Sequence, residues 1–304
     1  MVFSKTLKYI REKKGISQNK MLDDKDASQY SRIEGGKSQL RISTLIELSE
    51  RLGLTLNEFI KYSFVDKKSI ELSQKMNYSI DNPDSEYHKF KLIKEYKKLD
   101  KLNKKLMTYK DFAYYYAIKS TFSRLWKDIE PPSTDEIDHI YHMLVNSEFY
   151  GQFDYLLAIN IITFFNTEQI DNLITRMFPV RNPDKKTDVT LNYANLLITN
   201  VISLAMYEMD YEAALRYVTL ALNNNRIRDN YYFHLNTLYH KNMILRFLEN
   251  DTKYIEKARE IIQIIYDIGD TSTADQFLEE LNTLNTNPIE YKNRKNMPTV
   301  SIHK

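Results

Sequence analysis

The sequence predicts an all-α protein, with five short helices at the N-terminus followed by an array of longer helices. Four of the six glycines lie early in the chain, at Gly15, Gly35, Gly36 and Gly53. Glycine turns of this kind end short helices. Beyond residue 66, long apolar-periodic segments contain few breakers, and strand-like alternation is not evident. We therefore expect two domains, residues 1–66 and 67–286, and a C-terminal tail, residues 287–304.

Composition narrows the class of protein. The 304 residues are 42% hydrophobic and 28% charged, as is usual for globular proteins. The absence of cysteine excludes a disulfide framework, a thiolate zinc site and a cysteine nucleophile. The N-terminus lacks the apolar core of a signal peptide, and no apolar run is expected to reach membrane-spanning length. These features predict a cytoplasmic protein with no membrane contact.

Charge is distributed unevenly along the chain. The net charge is only +2, so the chain as a whole is not a polyanion binder. Residues 1–65, however, hold 12 Lys or Arg against 8 Asp or Glu. A local positive excess on a small segment is a mild indication of nucleic-acid binding.

The N-terminal helices can be placed from their caps and stops. The first contains Leu7, Ile10 and Arg11 and ends at Gly15. Plausible N-caps for the second, third and fourth helices are Ser17, Asp26 and Ser43. The second helix would end at residue 22, the third would span residues 27–34, the fourth would end at residue 52 and the fifth would span residues 56–64.

Five short helices in this order resemble the helix-turn-helix domain of phage repressors. The matching residues are Gly15-Ile16-Ser17-Gln18, the segment SRIEGGK from Ser31 to Lys37, and Leu45, Leu48, Leu52, Gly53 and Phe59. The match extends over all five elements, although the stretch between Gly15 and Glu34, with its turn at Asp23-Asp24-Lys25, is slightly shorter than the usual pattern. The resemblance implies an ion pair between Arg11 and Glu34.

The same resemblance implies which residues bind DNA. The third helix of such domains enters the major groove and would present Ala27, Ser28, Gln29 and Arg32. Gln29 can bond bidentately to adenine, and Arg32 can bond to guanine or phosphate. Ser17 and Gln18 start the second helix, where a phosphate would meet Gln18 and backbone N–H groups. Lys37 and Arg41 follow in the loop. A solvated surface cation is the structural alternative for Arg32.

The second region contains a repeated pattern of a leucine followed four residues later by an asparagine. It occurs in LLAINII, LLITNVI and LYHKNMI, with the pairs Leu156/Asn160, Leu196/Asn200 and Leu238/Asn242. The asparagines are 40 and 42 residues apart. A buried amide without partners costs roughly 1–3 kcal/mol, so each amide needs a partner.

Each of these segments is followed by a second amphipathic segment. After LLITNVI, Tyr211, Ala214 and Ala221 fit the second-helix pattern of a tetratricopeptide repeat, in which small residues let paired helices approach. Residues 168–177 and 253–265, the latter with Ala258, are the corresponding partners. Three pairs of about 40 residues thus resemble a divergent tetratricopeptide array. Residues 87–110, 112–126 and 135–147 could add one or two further pairs, in a register that we do not place.

In such arrays the first helices line a groove, and the three asparagines would form a row along it. One amide offers an acceptor and two donors, which match the C=O and N–H of a peptide unit. Ser203 and Tyr207 share the polar side of the Asn200 helix. The leucines of the pattern would contact side chains of the ligand. The structural alternative is that the amides bond to each other or to helix carbonyls.

The whole arrangement resembles the Rgg/PlcR/PrgX group of peptide-pheromone receptors. The resemblance covers nearly the whole chain; it is specific in the DNA-binding domain and architectural in the rest. It implies a cytoplasmic, dimeric transcription regulator that binds double-stranded DNA and a short signalling peptide in quorum sensing. The peptide contacts that it implies are Asn160, Asn200 and Asn242. Arg246, one turn after Asn242, could meet a peptide carboxylate, although a surface cation is the simpler interpretation.

Three other functions are considered. In a repressor of the same architecture the repeats could bind a protein instead of a peptide, and a third regulator would have no ligand. An enzyme is not expected, because GxxxxGK, GxGxxG, HExxH and GxSxG motifs are missing. His139 and His142 are spaced for one helix face, but no third metal ligand is apparent, so neither a metal nor a cofactor is expected.

Overall fold

A computed structural model describes residues 2–21, 27–64, 66–102, 107–223 and 230–286, and every regular element in these ranges is helical. The all-α prediction is confirmed. The chain divides into two compact units, residues 1–73 and residues 74–304. The tail beyond residue 286 and the predicted turn at residues 23–25 lie outside the described ranges.

Up to residue 64, the described part of the first unit contains four α-helices and one 3₁₀ turn. They are α1 (Val2–Lys13), the 3₁₀ turn (Gln18–Lys20), α2 (Ala27–Glu34), α3 (Ile42–Arg51) and α4 (Leu56–Ser63). Their apolar faces meet in one core that includes Leu7, Tyr30, Ile33, Leu48 and Phe59, all at most 2% exposed. Because Tyr30 and Ile33 lie three residues apart, burying them turns the opposite face of α2 to solvent.

The predicted caps of this unit hold in part. Gly15, Gly36 and Gly53 have φ values of +65°, +67° and +65°, the left-handed conformation expected at helix C-termini. The second helix is only a 3₁₀ turn; Ser17 precedes it without a side-chain capping bond. The predicted Ser43 cap is wrong, because α3 starts at Ile42 with Arg41 as its N-cap residue. Asp26, the proposed third cap, lies outside the described residues.

The second unit is an array of longer helices. After α5 (Lys67–Asp81), which spans the boundary of the units, come α6 (Glu86–Asp100), α7 (Tyr109–Phe122), α8 (Thr134–Val145), α9 (Gln152–Ile161), α10 (Thr167–Met177), α11 (Asp188–Tyr207), α12 (Tyr211–Asn223), α13 (Tyr231–Glu249), α14 (Lys253–Asp267) and α15 (Thr271–Thr286). Polar side chains start many of them: Thr108, Ser133, Asn166, Thr187 and Asn230 each accept a bond from a backbone N–H in the first turn.

These helices form two layers. In the first layer α7, α9, α11 and α13 pack side by side in chain order. The helices between them form the second layer, where Asn172 of α10 bonds to Tyr141 of α8, and Tyr217 of α12 bonds to Asp171 of α10. The three predicted pairs are therefore α9/α10, α11/α12 and α13/α14. The pair α7/α8 adds a fourth that the sequence left without a register.

One helix of the first layer contradicts a sequence-based expectation. By length and composition, α11 is apolar enough to cross a membrane, with 61% of its apolar window buried in the protein. The apolar residues are needed because α11 packs on α9, α12 and α13 at once. A helix with so many neighbours is apolar on most sides, which explains its hydropathy as a core helix.

Candidate functional site

The solvent side of α2 is polar and accessible. Ser28, Gln29 and Arg32 are exposed there, and Lys37 and Arg41 are exposed in the loop that follows. None of these five side chains has a hydrogen-bond or ion-pair partner within the described ranges. Ala27 starts the helix, although its side chain is outside the description. Ser17 is also exposed. Six of the residues predicted to bind DNA are therefore exposed beside a packed core: Ser17, Ser28, Gln29, Arg32, Lys37 and Arg41.

Glu34, at the end of α2, fixes this face to the rest of the unit. Its carboxylate accepts hydrogen bonds from Arg11 Nε at 2.5 Å and Arg11 Nη2 at 3.1 Å, which confirms the predicted ion pair. The Tyr30 hydroxyl also donates to it, at 2.7 Å. Burial alone would raise the pKa of Glu34, but the bonds from Arg11, Tyr30 and Gln18 outweigh it and lower that pKa.

Gln18 does not have the free amide that the sequence suggested. Its Nε2 donates to Glu34 Oε2 at 2.6 Å. The amide group that was predicted to bind a DNA phosphate is therefore directed into the unit. The buried carboxylate of Glu34 therefore accepts four bonds: two from Arg11, one from Tyr30 and one from Gln18. Such charge-assisted bonds stabilise its negative charge. Ser17 and the backbone N–H groups of the 3₁₀ turn remain on the surface.

The three repeated asparagines have different surroundings. Asn160 on α9 is 4% exposed; its Oδ1 accepts a 2.7 Å bond from Thr121 of α7, and its Nδ2 donates to the Leu156 carbonyl at 2.7 Å. Leu156 itself is 3% exposed. At this position the structure matches the alternative that the amide bonds within the array, and it does not support the predicted contact of Leu156 and Asn160 with a ligand.

Asn242 and Asn200 are accessible in part. Asn242 on α13 is half-buried, and its Nδ2 donates to the Leu238 carbonyl at 2.9 Å. Asn200 on α11 is also half-buried, and its amide has no hydrogen-bond partner in the part of the chain that the structure describes. The leucine carbonyl that the other two asparagines use is occupied here, because the Thr199 hydroxyl donates to the Leu196 carbonyl at 3.0 Å.

Asn200 lies in the middle of a helical row that we call the α11 stripe: Leu196, Asn200, Ser203 and Tyr207. The spacing of four, three and four residues places all of them on one helix face. The last three are half-buried, and Leu196 is 8% exposed. Another face of α11, with Val201 and Ala205, lines a small cavity against α10 and α12. The stripe is therefore turned away from the second layer.

One contact links the stripe to α13. Ser203 lies 3.4 Å from His240 Nε2, which joins the two helices. Leu238, Asn242 and Arg246 are half-buried and follow one another at intervals of four residues. Arg246 Nη1 donates to Asn250 Oδ1 at 2.9 Å, while its buried Nε has no partner among the described residues. Asn200 and Ser203 on α11 and Leu238, Asn242 and Arg246 on α13 are thus all partly accessible.

The sequence analysis did not identify two residues that link α7 to α9: Thr121 in α7 and Arg124 just after its C-terminal end. Thr121 contacts Asn160, as described above, and Arg124 Nη2 donates to Thr163 Oγ1 at 2.5 Å. In each of these two pairs the partners are 39 residues apart in the sequence. That interval is close to the spacing of the asparagines, so it was the signal that could have placed α7 in register with the other first-layer helices.

No group of three or more His, Cys, Asp or Glu side chains that could hold a metal ion occurs in the described ranges. His139 contacts the ring of Phe112, and His142 contacts the ring of Tyr141. Both histidines therefore have aromatic packing partners.

A small N-terminal helical unit followed by a two-layer helical array is the architecture of the chain. Residues 7–59 match the helix-turn-helix family, and residues 93–279 match the C-terminal domain of the HTH-type transcriptional regulator Rgg. The second match covers more than half of the chain. The chain belongs to the Rgg family of HTH-type transcriptional regulators.

Solved structures with the same fold span nearly the whole chain. The PrgX/iCF10 complex has a TM-score of 0.77 at 17% identity and covers 100% of both chains. The PrgX/cCF10 complex has a TM-score of 0.75 at 18% identity and covers 94% of this chain and 93% of that chain. The SHP pheromone receptor Rgg2 of Streptococcus dysgalactiae has a TM-score of 0.71 at 19% identity, with 92% and 99% covered. No curated protein sequence matches.

Proposed function

We propose that this regulator binds a short peptide on the surface of α11 and α13 and that the peptide alters its action at a promoter. The observation that carries the proposal is the amide of Asn200, which lies half-buried in the α11 stripe without a partner in the described ranges. An amide in this position can pair with both the C=O and the N–H of one peptide unit. Solved structures of this fold include a bacterial peptide pheromone/receptor complex and the SHP pheromone receptor Rgg2, which supports the same ligand class.

The proposed peptide contacts include two of the three asparagines that the sequence predicted, without Asn160. Asn200 and Asn242 would hold the peptide backbone, and Leu196, Ser203, Tyr207, Leu238 and Arg246 would surround its side chains. Asn242 would exchange its bond to the Leu238 carbonyl for one to the ligand. Asn160 would serve instead as a bridge to α7, because its amide is already bonded and buried.

At the other end of the chain, α2 would read the major groove through Ser28, Gln29 and Arg32, with Lys37 and Arg41 on phosphates. One recognition helix provides few base contacts, so we propose a homodimer on two half-sites. The site of action would be the cytoplasm, and no catalytic activity is part of the proposal.

The test has two stages. Native mass spectrometry of the protein purified from its own host identifies the bound molecule, and a synthetic copy is then titrated into the Asn200→Ala variant. Loss of this amide should weaken binding by about tenfold to a hundredfold, that is, roughly 1–3 kcal/mol. Asn82→Ala is the matched control, since Asn82 is an exposed amide just after α5 that donates to the backbone carbonyl of Tyr78.

Two results would overturn the proposal. A folded protein chain bound in place of a peptide would favour the repressor that binds a protein partner. Equal peptide affinity for the wild type and the Asn200→Ala variant would remove the α11 stripe from the ligand site, because the carrying observation would then have no consequence.

A further inference from the structure

Arg124 is a cation at the edge of the first layer. It follows the C-terminal end of α7, where Ser123 is the C-cap. Its Nη2 donates to Thr163 at 2.5 Å, and the guanidinium carbon lies 4.7 Å from the centre of the Phe164 ring. A hydroxyl and an aromatic face thus hold the guanidinium in place, but neither is an anion.

Three other arginines have carboxylate partners. Arg11 pairs with Glu34, Arg51 with Glu47 and Arg216 with Asp171. For Arg124 no ion pair is found within the described ranges. The residue is accessible, yet desolvation by the surrounding protein lowers the pKa of its guanidinium. The group is still charged near neutral pH, because the ordinary pKa of an arginine lies far above neutrality.

Arg124 has a position at the end of α7 that corresponds to the position of Ser203 in the α11 stripe. Thr121 is paired with Asn160 and Arg124 with Thr163, both across 39 residues. Asn200 and Ser203 continue these two rows 40 residues further along. Arg124 therefore occupies on α7 the place that Ser203 occupies on α11, three residues after the row of amides.

We propose that Arg124 binds a carboxylate of the peptide and so fixes which end of the ligand lies on α7. This inference rests on the proposed peptide-binding function. The planar guanidinium presents two parallel N–H donors, which match the two oxygens of a carboxylate. Thr163 uses one side of the guanidinium, and the other N–H groups remain for the ligand. The carboxylate is either the C-terminus of the peptide or an acidic side chain.

The layer also sets the length of the ligand. The path from α7 to α13 crosses three interhelical steps, each about 8–10 Å by helix-packing distances. An extended peptide advances about 3.3 Å per residue. A peptide that reaches from Arg124 to Asn242 therefore has roughly eight or nine residues.

The test uses a defined mixture of synthetic nonapeptides composed of Gly, Ala, Ser, Thr, Val, Leu and Phe. The full-length protein is offered the mixture as free acids, as C-terminal amides, and as amides that carry one Asp at a random position. Peptides that co-elute with the protein in gel filtration are quantified by mass spectrometry. Three variants are compared with the wild type: Arg124→Gln, Arg216→Gln as a matched control, and Arg246→Gln.

We expect the wild type to retain the free acids or the Asp-containing amides about tenfold more than the plain amides. The preferred arm identifies the source of the carboxylate. Arg124→Gln should retain all three arms at the level of the plain amides, whereas Arg216→Gln should match the wild type. If the preference is lost in Arg246→Gln and kept in Arg124→Gln, the carboxylate lies on α13 and the inference is wrong.

The remaining outcomes separate this inference from the function on which it rests. Retention that is equal in all three arms overturns the role of Arg124 and leaves peptide binding intact. No retention in any arm contradicts peptide binding itself. Melting of the unliganded protein gives a second readout: a fall of several degrees in Arg124→Gln with normal retention would make Arg124 a helix-end cation.

Discussion

The hydroxyl of Thr121 donates a 2.7 Å hydrogen bond to Oδ1 of Asn160, so the first repeated asparagine joins α7 to α9. Asn160→Ala removes this bond and the bond to the Leu156 carbonyl, and it leaves the Thr121 hydroxyl buried without its partner. We expect the free energy of unfolding to fall by about 1–3 kcal/mol. Urea unfolding of the unliganded protein measures it.

The control for this prediction is Asn200→Ala, whose side chain has no bond to lose among the described residues. It should change the unfolding free energy by less than about 0.5 kcal/mol. If both variants are destabilised equally, the environments of the two asparagines do not differ as the structure indicates. A double-mutant cycle with Thr121→Val isolates the bond between the two side chains.

The sequence located these helices but not the surroundings of their amides. The interval of four residues between leucine and asparagine correctly placed Leu238 next to Asn242 on one helix face. Whether an amide is free depends on other residues, however. The Thr199 hydroxyl donates to the Leu196 carbonyl, and the hydroxyl of Thr121, on a helix distant in sequence, donates to Asn160. Contacts between distant helices are not encoded in a local spacing.

Helix ends show the same division. The bounds of α2 match the prediction, because the glycine pair after Glu34 forces the chain out of the helix. The start of α3 does not, because Ser43 satisfies the local preference for a cap while the backbone already turns at Arg41. The local sequence does not distinguish a serine in the first turn from a serine at the N-cap; the packing of the helix decides between them.

The carboxylate of Glu34 makes the first unit sensitive to acid. Its pKa in the folded protein is lower than the ordinary value of 4.5, since Arg11, Tyr30 and Gln18 donate to the charged form despite burial. A lowered folded-state pKa means that its stabilising contribution is complete above about pH 4.5 and is lost as the pH falls through the folded value. Hydrogen exchange of the α2 amides between pH 7 and pH 3 should show this loss.

The variant that tests this group is Glu34→Gln. At neutral pH it leaves the buried Arg11 guanidinium with only the exposed Glu12 carboxylate, 3.6 Å away, and should cost up to about 3–5 kcal/mol of opening free energy. The difference from the wild type should shrink as the pH falls through the lowered folded-state pKa of Glu34, because the wild-type carboxyl group then becomes protonated as well. Glu47→Gln breaks an accessible pair with Arg51 and should cost at most about 1 kcal/mol. A constant difference at all pH values would contradict the assignment.

Gln29 and Gln18 should now behave differently from each other. Gln29 is exposed on α2, and Gln29→Ala should cost about 1–3 kcal/mol at one base position per half-site. Gln18→Ala removes a donor from Glu34, so it should also reduce the stability of the unit, besides weakening all DNA sequences alike. Selection from random duplex DNA, followed by titration of single-base variants, measures the first effect. An equal loss on every sequence would exclude Gln29 from base reading.

The loop after α2 should contribute to affinity without contributing to specificity. Lys37 is exposed just after the left-handed Gly36 and has no anionic partner among the described residues. If it binds a phosphate, Lys37→Ala should weaken all duplexes by a similar factor and reduce the slope of log K against log salt by about 0.9. Lys61→Ala, an exposed lysine on α4, is the control. Titrations at several salt concentrations decide: an unchanged slope removes Lys37 from the phosphate contacts, and a sequence-dependent loss places it on a base edge instead.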